Sequence, residues 1–149
     1  MNGYQFKLQK VLDTRKIRQE LIETKLVELE RLAGSQKEHL KLVLHQREKM
    51  AVERSEERQT GEIVVDTEVF YQQYLEVLTR KAEEIKRYLF ELEERIKETK
   101  KELLQASMER KIVEKLKDKD YQSFVLDLER NNQKQLDEVA IQSFRRDKK

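Results

Sequence analysis

The sequence predicts an all-α fold: two long helices folded back as an antiparallel coiled-coil hairpin, the second helix longer than the first. Three observations predict it. The 149 residues include no proline and only three glycines, so little interrupts a helix. Ala, Glu, Lys, Leu and Arg make up about half of the chain, and 42% of residues are charged, as in long helices and coiled coils. Apolar residues also recur at alternating steps of four and three over two long stretches separated by one lapse.

Helix one is expected over about residues 4–54. Its seam runs Leu8, Leu12, Arg15, Gln19, Ile22, Leu26, Leu29, Ala33, Gln36, Leu40, Val43, Arg47 and Met50, with Val11, Leu21, Leu32 and Leu44 widening it. Gly34 lies inside this helix and weakens it by about 1 kcal/mol relative to alanine without ending it. The pattern lapses in "SEERQTGEIVVD", read as a loop over about residues 55–66, where Gly61 supplies the turn and Asp66 or Thr67 caps the next helix. Helix two, about residues 67–144, has the stronger seam: Tyr71, Leu75, Leu78, Ala82, Ile85, Leu89, Leu92, Ile96, Thr99, Leu103, Ala106, Arg110, Val113 and Lys117. Its outer face carries Glu76–Arg80, Glu83–Arg87, Glu91–Arg95 and Glu93–Lys97 at the spacing of helical ion pairs.

The whole chain, residues 1–149, thus reads as a single hairpin of unequal arms, roughly 75 Å and roughly 115 Å long at 1.5 Å per residue. Counting back from the loop places Tyr4 opposite about Asp118. The stretch beyond, with Tyr121, Phe124, Val125, Leu128, Leu136, Val139 and Phe144, has no partner within the chain. An amphipathic helix left alone in water is marginal, so this overhang reads as a binding surface.

Chemistry-bearing patterns are sparse. With no cysteine there is no disulfide framework or thiolate metal site, and a reducing compartment is compatible. The N-terminus lacks the apolar core of a secretory signal, and no apolar run approaches membrane-spanning length; a cytoplasmic location is expected. A net charge of +2, mixed along the chain, gives no dominant field for nucleic acid or an anionic membrane. His39 and His45 are six apart and so on different faces; Asp118 with Asp120, and Asp137 with Glu138, read as solvated charge rather than cation ligands. Gly-rich phosphate loops and nucleophile elbows are absent from the sequence, and the expectation is a non-enzyme without cofactor or metal. In "FYQQYL", Tyr71 and Leu75 lie on the seam, whereas Phe70 and Tyr74 share the adjoining face, where core packing and partner contact are both open readings. Among the basic seam positions, Arg47 and Arg110 read as register-fixing residues, and Arg15 and Lys117 as facing each other near the open end.

Four segments carry a family resemblance. The opening "FKLQKVLDTR", the later "ERKIVEKLKDKDY" and the closing "NNQKQLDEVAIQSFRR" resemble the FliJ family, the soluble stalk proteins of the flagellar type III export apparatus; "YQQY" is similar to a step found in some members. The order and spacing of these segments, over the whole chain, carry the resemblance. It implies a stalk similar to the central subunit of rotary ATPases, which does not itself hydrolyse ATP. The terminal end would sit in the hexameric flagellar export ATPase, promoting its assembly and coupling hydrolysis to export. The stalk would also contact the cytoplasmic region of the export-gate membrane protein and act as a general chaperone alongside substrate chaperones, at the cytoplasmic face of the membrane. By motif match, Phe6, Leu8, Gln9, Arg15, Arg110, Glu114, Lys115, Leu116, Asp137, Glu138 and Arg145 mark the ATPase-facing end. Tyr71, Tyr74 and Leu78 mark the gate contact, with Lys81 and Ile85 departing from some relatives on that face. The rival reading is a generic cytoplasmic coiled-coil tether or homodimeric scaffold.

Overall fold

The computed structural model describes residues 3–62 and 64–148; Ile63, in the expected loop, and the terminal residues 1, 2 and 149 lie outside the described residues. Two long helices, α1 (Gln9–Gln59) and α2 (Val65–Asp147), run antiparallel, and α2 is the longer. The residues group into two compact units, residues 22–103 around the turn and residues 1–21 with 104–149 around the chain ends.

In the turn-proximal unit the two seams interlock. Leu29, Ala33 and Val43 of α1 pack with Leu78, Ala82, Ile85, Leu89 and Leu92 of α2, and Leu32, Leu40, Leu44 and Ile96 close over them. A 3.5-residue period keeps one face of each helix toward the other, and burial of these side chains holds the pair together. Thr99 is buried in the same seam and donates its hydroxyl to the Arg95 carbonyl at 2.7 Å, which satisfies the oxygen within its own helix.

Both ends of the connection differ from expectation. Helix α1 continues to Gln59 and α2 begins at Val65, so residues 55–59 are helical, and Asp66 and Thr67 lie inside α2 rather than capping it. The lapse in apolar period signals only that no seam is buried there, whereas charged residues such as Glu56, Glu57 and Arg58 continue a helix readily. The stop comes from Gly61. The Thr60 and Gly61 amides donate to the Glu57 and Arg58 carbonyls at 3.2 and 3.3 Å, and Gly61 takes φ +83°, the left-handed conformation that other residues adopt only at a cost. Asp66 and Glu68 place negative charge in the first turn of α2, favourable to its dipole.

In the unit at the chain ends, α1 also starts later than expected. Residues 3–6 lack helical structure, and the Gln9 amide donates to the Phe6 carbonyl at 3.1 Å, turning the chain into α1. Leu12, Ala106 and Val113 form the buried seam. Ahead of the helix, Tyr4 rests on α2, with its ring 5.1 Å from that of Tyr121 and 5.4 Å from that of Phe124. Its hydroxyl donates to Asp120 Oδ2 at 3.0 Å and lies 3.3 Å from the Lys117 carbonyl. Tyr4 therefore meets α2 at the level expected from counting. The uncovered stretch is shorter than expected, because Tyr121, Phe124 and the half-buried Val125 are engaged. From residue 126 to 148 every residue is exposed.

Gly34 sits in the middle of α1, exposed, and a Cβ there would meet no atom within 4 Å. Gly34→Ala is expected to stabilise the protein by about 1 kcal/mol, read as a higher urea midpoint at unchanged slope.

Candidate partner-binding surfaces

All residues of the ATPase-facing set fall in the unit at the chain ends, and those of the gate set in the turn-proximal unit. At the chain ends, cross-helix polar contacts bring part of the first set together. Gln9 Nε2 donates to Asp13 Oδ1 at 2.9 Å, while its Oε1 accepts from Lys117 Nζ at 2.8 Å. Arg15 and Arg18 both reach Glu109 Oε2 at 3.1 Å. Arg15 and Lys117 therefore do not face each other; each meets a polar partner on the opposite helix, because long cationic side chains leave the seam for its edges. Arg110 turns along its own helix to Glu114 Oε1 at 3.1 Å, and its buried Nε has no partner. Lys115 and Leu116 are exposed, and Leu8 is 42% exposed at the seam's open end.

Asp137, Glu138 and Arg145 stand apart from these. They lie on the uncovered end of α2, beginning 21 residues beyond Leu116, about 30 Å along a helix. There Gln133 donates to Asp137 Oδ1 at 3.1 Å, and Lys148 Nζ sits 4.8 Å from the Phe144 ring. Leu126, Leu128, Leu136, Val139, Ile141 and Phe144 are all at least half exposed on this end.

In the gate set, Tyr71 and Leu78 are 8% and 2% exposed, packed in the seam, and cannot meet a partner without opening it. Burial raises the Tyr71 hydroxyl pKa, and the nearby Glu57 charge raises it further. Tyr74 presents surface, stacked at 6.0 Å on Phe70, which is more exposed still. Phe70 lies outside the gate set that the resemblance implies, yet it presents more apolar surface than Tyr74 on the same face.

Charge also behaves differently from the sequence pattern. None of the four expected Glu-to-basic pairs on α2 closes among the described residues; Glu83 instead meets Lys86 at 3.7 Å. Arg31 and Glu28 pair within α1 at 2.6 Å, but other tight pairs cross between helices. Glu68 of α2 accepts from Arg54 Nε at 3.0 Å and from Arg58 at 3.0 and 2.8 Å. The Arg58 hydrogen bonds, then those from Arg54, outweigh burial and bring the Glu68 carboxyl down to about 2 from the ordinary 4.5. A lowered carboxyl pKa stabilises the fold in full above pH 4.5 and loses that contribution as pH falls toward 2. Replacing Glu68 by Gln is expected to flatten the stability-versus-pH curve in that window, as followed by thermal melts from pH 5 to 2.

Among the described residues no cluster of three His, Cys, Asp or Glu side chains could hold a metal, and no helix is long and apolar enough to cross a membrane. Two interlocked helices with one end of α2 uncovered define a coiled-coil hairpin that offers faces and an open helix end to partners. The family model described as flagellar FliJ protein matches residues 4–149, and the chain belongs to that family, whose members are components of flagellar export. Neither the curated proteins nor the solved structures contain a match.

Proposed function

We propose that this chain is a non-enzymatic stalk that couples the hexameric flagellar export ATPase to protein export. Its terminal end seats in the central hole of the ring, led by α2, and promotes ring assembly and ATP hydrolysis. The exposed face around Tyr74 and Phe70 contacts the cytoplasmic region of the export gate, and the stalk serves as a general chaperone with substrate chaperones at the cytoplasmic face of the membrane. The observation that carries the reading is the fully exposed α2 end, residues 126–148. It keeps apolar side chains at Leu128, Leu136, Val139 and Phe144 that nothing among the described residues covers. Family membership supplies the kind of partner.

The test mixes the purified chain with the flagellar export ATPase and follows ATP hydrolysis, with the chain's own mass measured by light scattering. Stimulation by a monomeric chain supports the stalk. An unchanged rate together with twice the monomer mass replaces it with a homodimeric tether.

A further inference from the structure

The outward side of α2, turned away from α1, carries a second apolar feature that neither the seam nor the uncovered end uses. Leu104, Met108, Ile112 and Leu116 recur every four residues and are 63%, 54%, 61% and 46% exposed. Side chains four apart on a helix form one continuous ridge inclined to the axis, the element that fits the groove of another helix at a crossing angle near −50°. Methionine within such a ridge adapts its shape to the groove it meets.

The charges around the ridge are mostly basic. Lys111, Lys115 and Lys119 flank it, all exposed and without an ion pair within 4 Å among the described residues. Of the nearby carboxylates, Glu109 is held by Arg15 and Arg18 of α1 and Glu114 by Arg110, while Asp118 is exposed beside Lys119. Earlier on the same helix the outward face is mixed, with Glu83, Glu84, Glu91 and Glu94 among Arg80, Arg87 and Lys97.

We infer that the ridge Leu104–Met108–Ile112–Leu116 with its lysine frame is a docking site for an acidic amphipathic helix of another protein. Charge complementarity selects the acidic partner, and a helix meets a ridge of this form with its own apolar groove. An apolar row one side chain wide fits that groove, whereas a bilayer surface calls for a broad apolar face backed by a free polar one. The opposite side of α2 is occupied by α1. Leu116 and Lys115 also stand in the ATPase-facing set that the resemblance implies, so the ATPase readout below separates the two roles.

The test immobilises the full chain and selects from a displayed library of 20-residue helices randomised on one face. Enriched peptides are then synthesised with a fluorophore, and their anisotropy is measured with the parent chain, Met108→Glu, and Leu21→Glu as an exposed control on α1. The expected peptides carry apolar residues at spacings of three and four, flanked by Asp and Glu. Their affinity falls at least tenfold with Met108→Glu and with added salt, and is unchanged by Leu21→Glu. Met108→Glu keeps parental ellipticity and parental stimulation of the export ATPase. The proposal is overturned if no peptide is enriched, if enriched peptides are basic, or if Met108→Glu binds them as the parent does. Loss of ATPase stimulation together with peptide binding overturns it too, by assigning the ridge to the ring. Co-sedimentation of the parent, but not Met108→Glu, with vesicles of phosphatidylserine and phosphatidylcholine would overturn it in favour of a lipid surface.

Discussion

Leu92→Ala is expected to lower the unfolding free energy by about 3 kcal/mol, and Leu104→Ala, twelve residues further along the same helix, by less than about 0.5 kcal/mol. Leu92 is 1% exposed in the middle of the turn-proximal seam, between Leu89 and Ile96 and against the α1 side chains of the same cluster. Truncation removes its methyl groups from that apolar contact and leaves a cavity that Leu89 and Ile96, fixed by their own backbone, fill only in part. The seam is two helices thick, so water reaches its edges, and the loss belongs in the middle of the range for buried leucines rather than at its top. Leu104 is 63% exposed and loses little that water was not already touching. Urea denaturation of both variants at one temperature checks the pair. Equal losses would mean that the seam does not carry the stability of this unit. Against a total stability of order 10 kcal/mol, the Leu92 effect is also visible as a melting temperature several degrees lower.

The seam was legible because its cause is local in sequence. Every expected seam position other than Leu8 is at least half-buried, including the polar ones, Gln36 and Thr99 among them. A heptad position inherits burial from its neighbours' spacing, whatever side chain occupies it. Register was legible for the same reason: with a short turn at Gly61, counting along two straight helices brings Tyr4 to within a turn of Asp118, and Tyr4 does bond Asp120. The ends of the helices were not legible. Periodicity reports a buried face, and residues 55–59 form helix without one.

Electrostatic partners were the least legible feature. An i, i+4 spacing lists candidates on one helix, but Glu68 and Glu109 each gather two arginines from the other. Those pairings depend on the relative rotation of the helices, which the sequence of either one does not contain. The same limit applies to the surfaces. Leu78 belongs to the gate set by resemblance and to the seam by spacing, and the seam takes it, while Phe70, one position before Tyr71, is left outside. A one-residue step rotates a side chain by about 100°, so proximity in a motif does not decide which side of the helix a residue shares.

Removing the uncovered end of α2 by terminating the chain after Val125 is expected to abolish stimulation of the export ATPase while leaving the fold's stability within about 0.5 kcal/mol of the parent. No residue from 126 to 148 is buried, and among the described residues the polar contacts there are local, such as Gln133 with Asp137 and Lys148 with Phe144. The segment therefore gives the folded state no cross-helix burial to lose, and as an isolated helix of this length it is marginal in water. The cut must fall after Val125. Ending at Asp120 would also strip Tyr121 and Phe124 from Tyr4, loosening the start of the chain and confounding a lost partner contact with a damaged hairpin. Measured together, hydrolysis rates and urea midpoints separate the possibilities. Parental stability with the ATPase at its unstimulated rate assigns the coupling to Leu128, Leu136, Val139, Phe144 and the charges around them. Parental stability with full stimulation would move the ring contact back to the cross-helix cluster of Gln9, Lys117, Arg15 and Glu109, and the exposed apolar residues of the α2 end would then need a different partner.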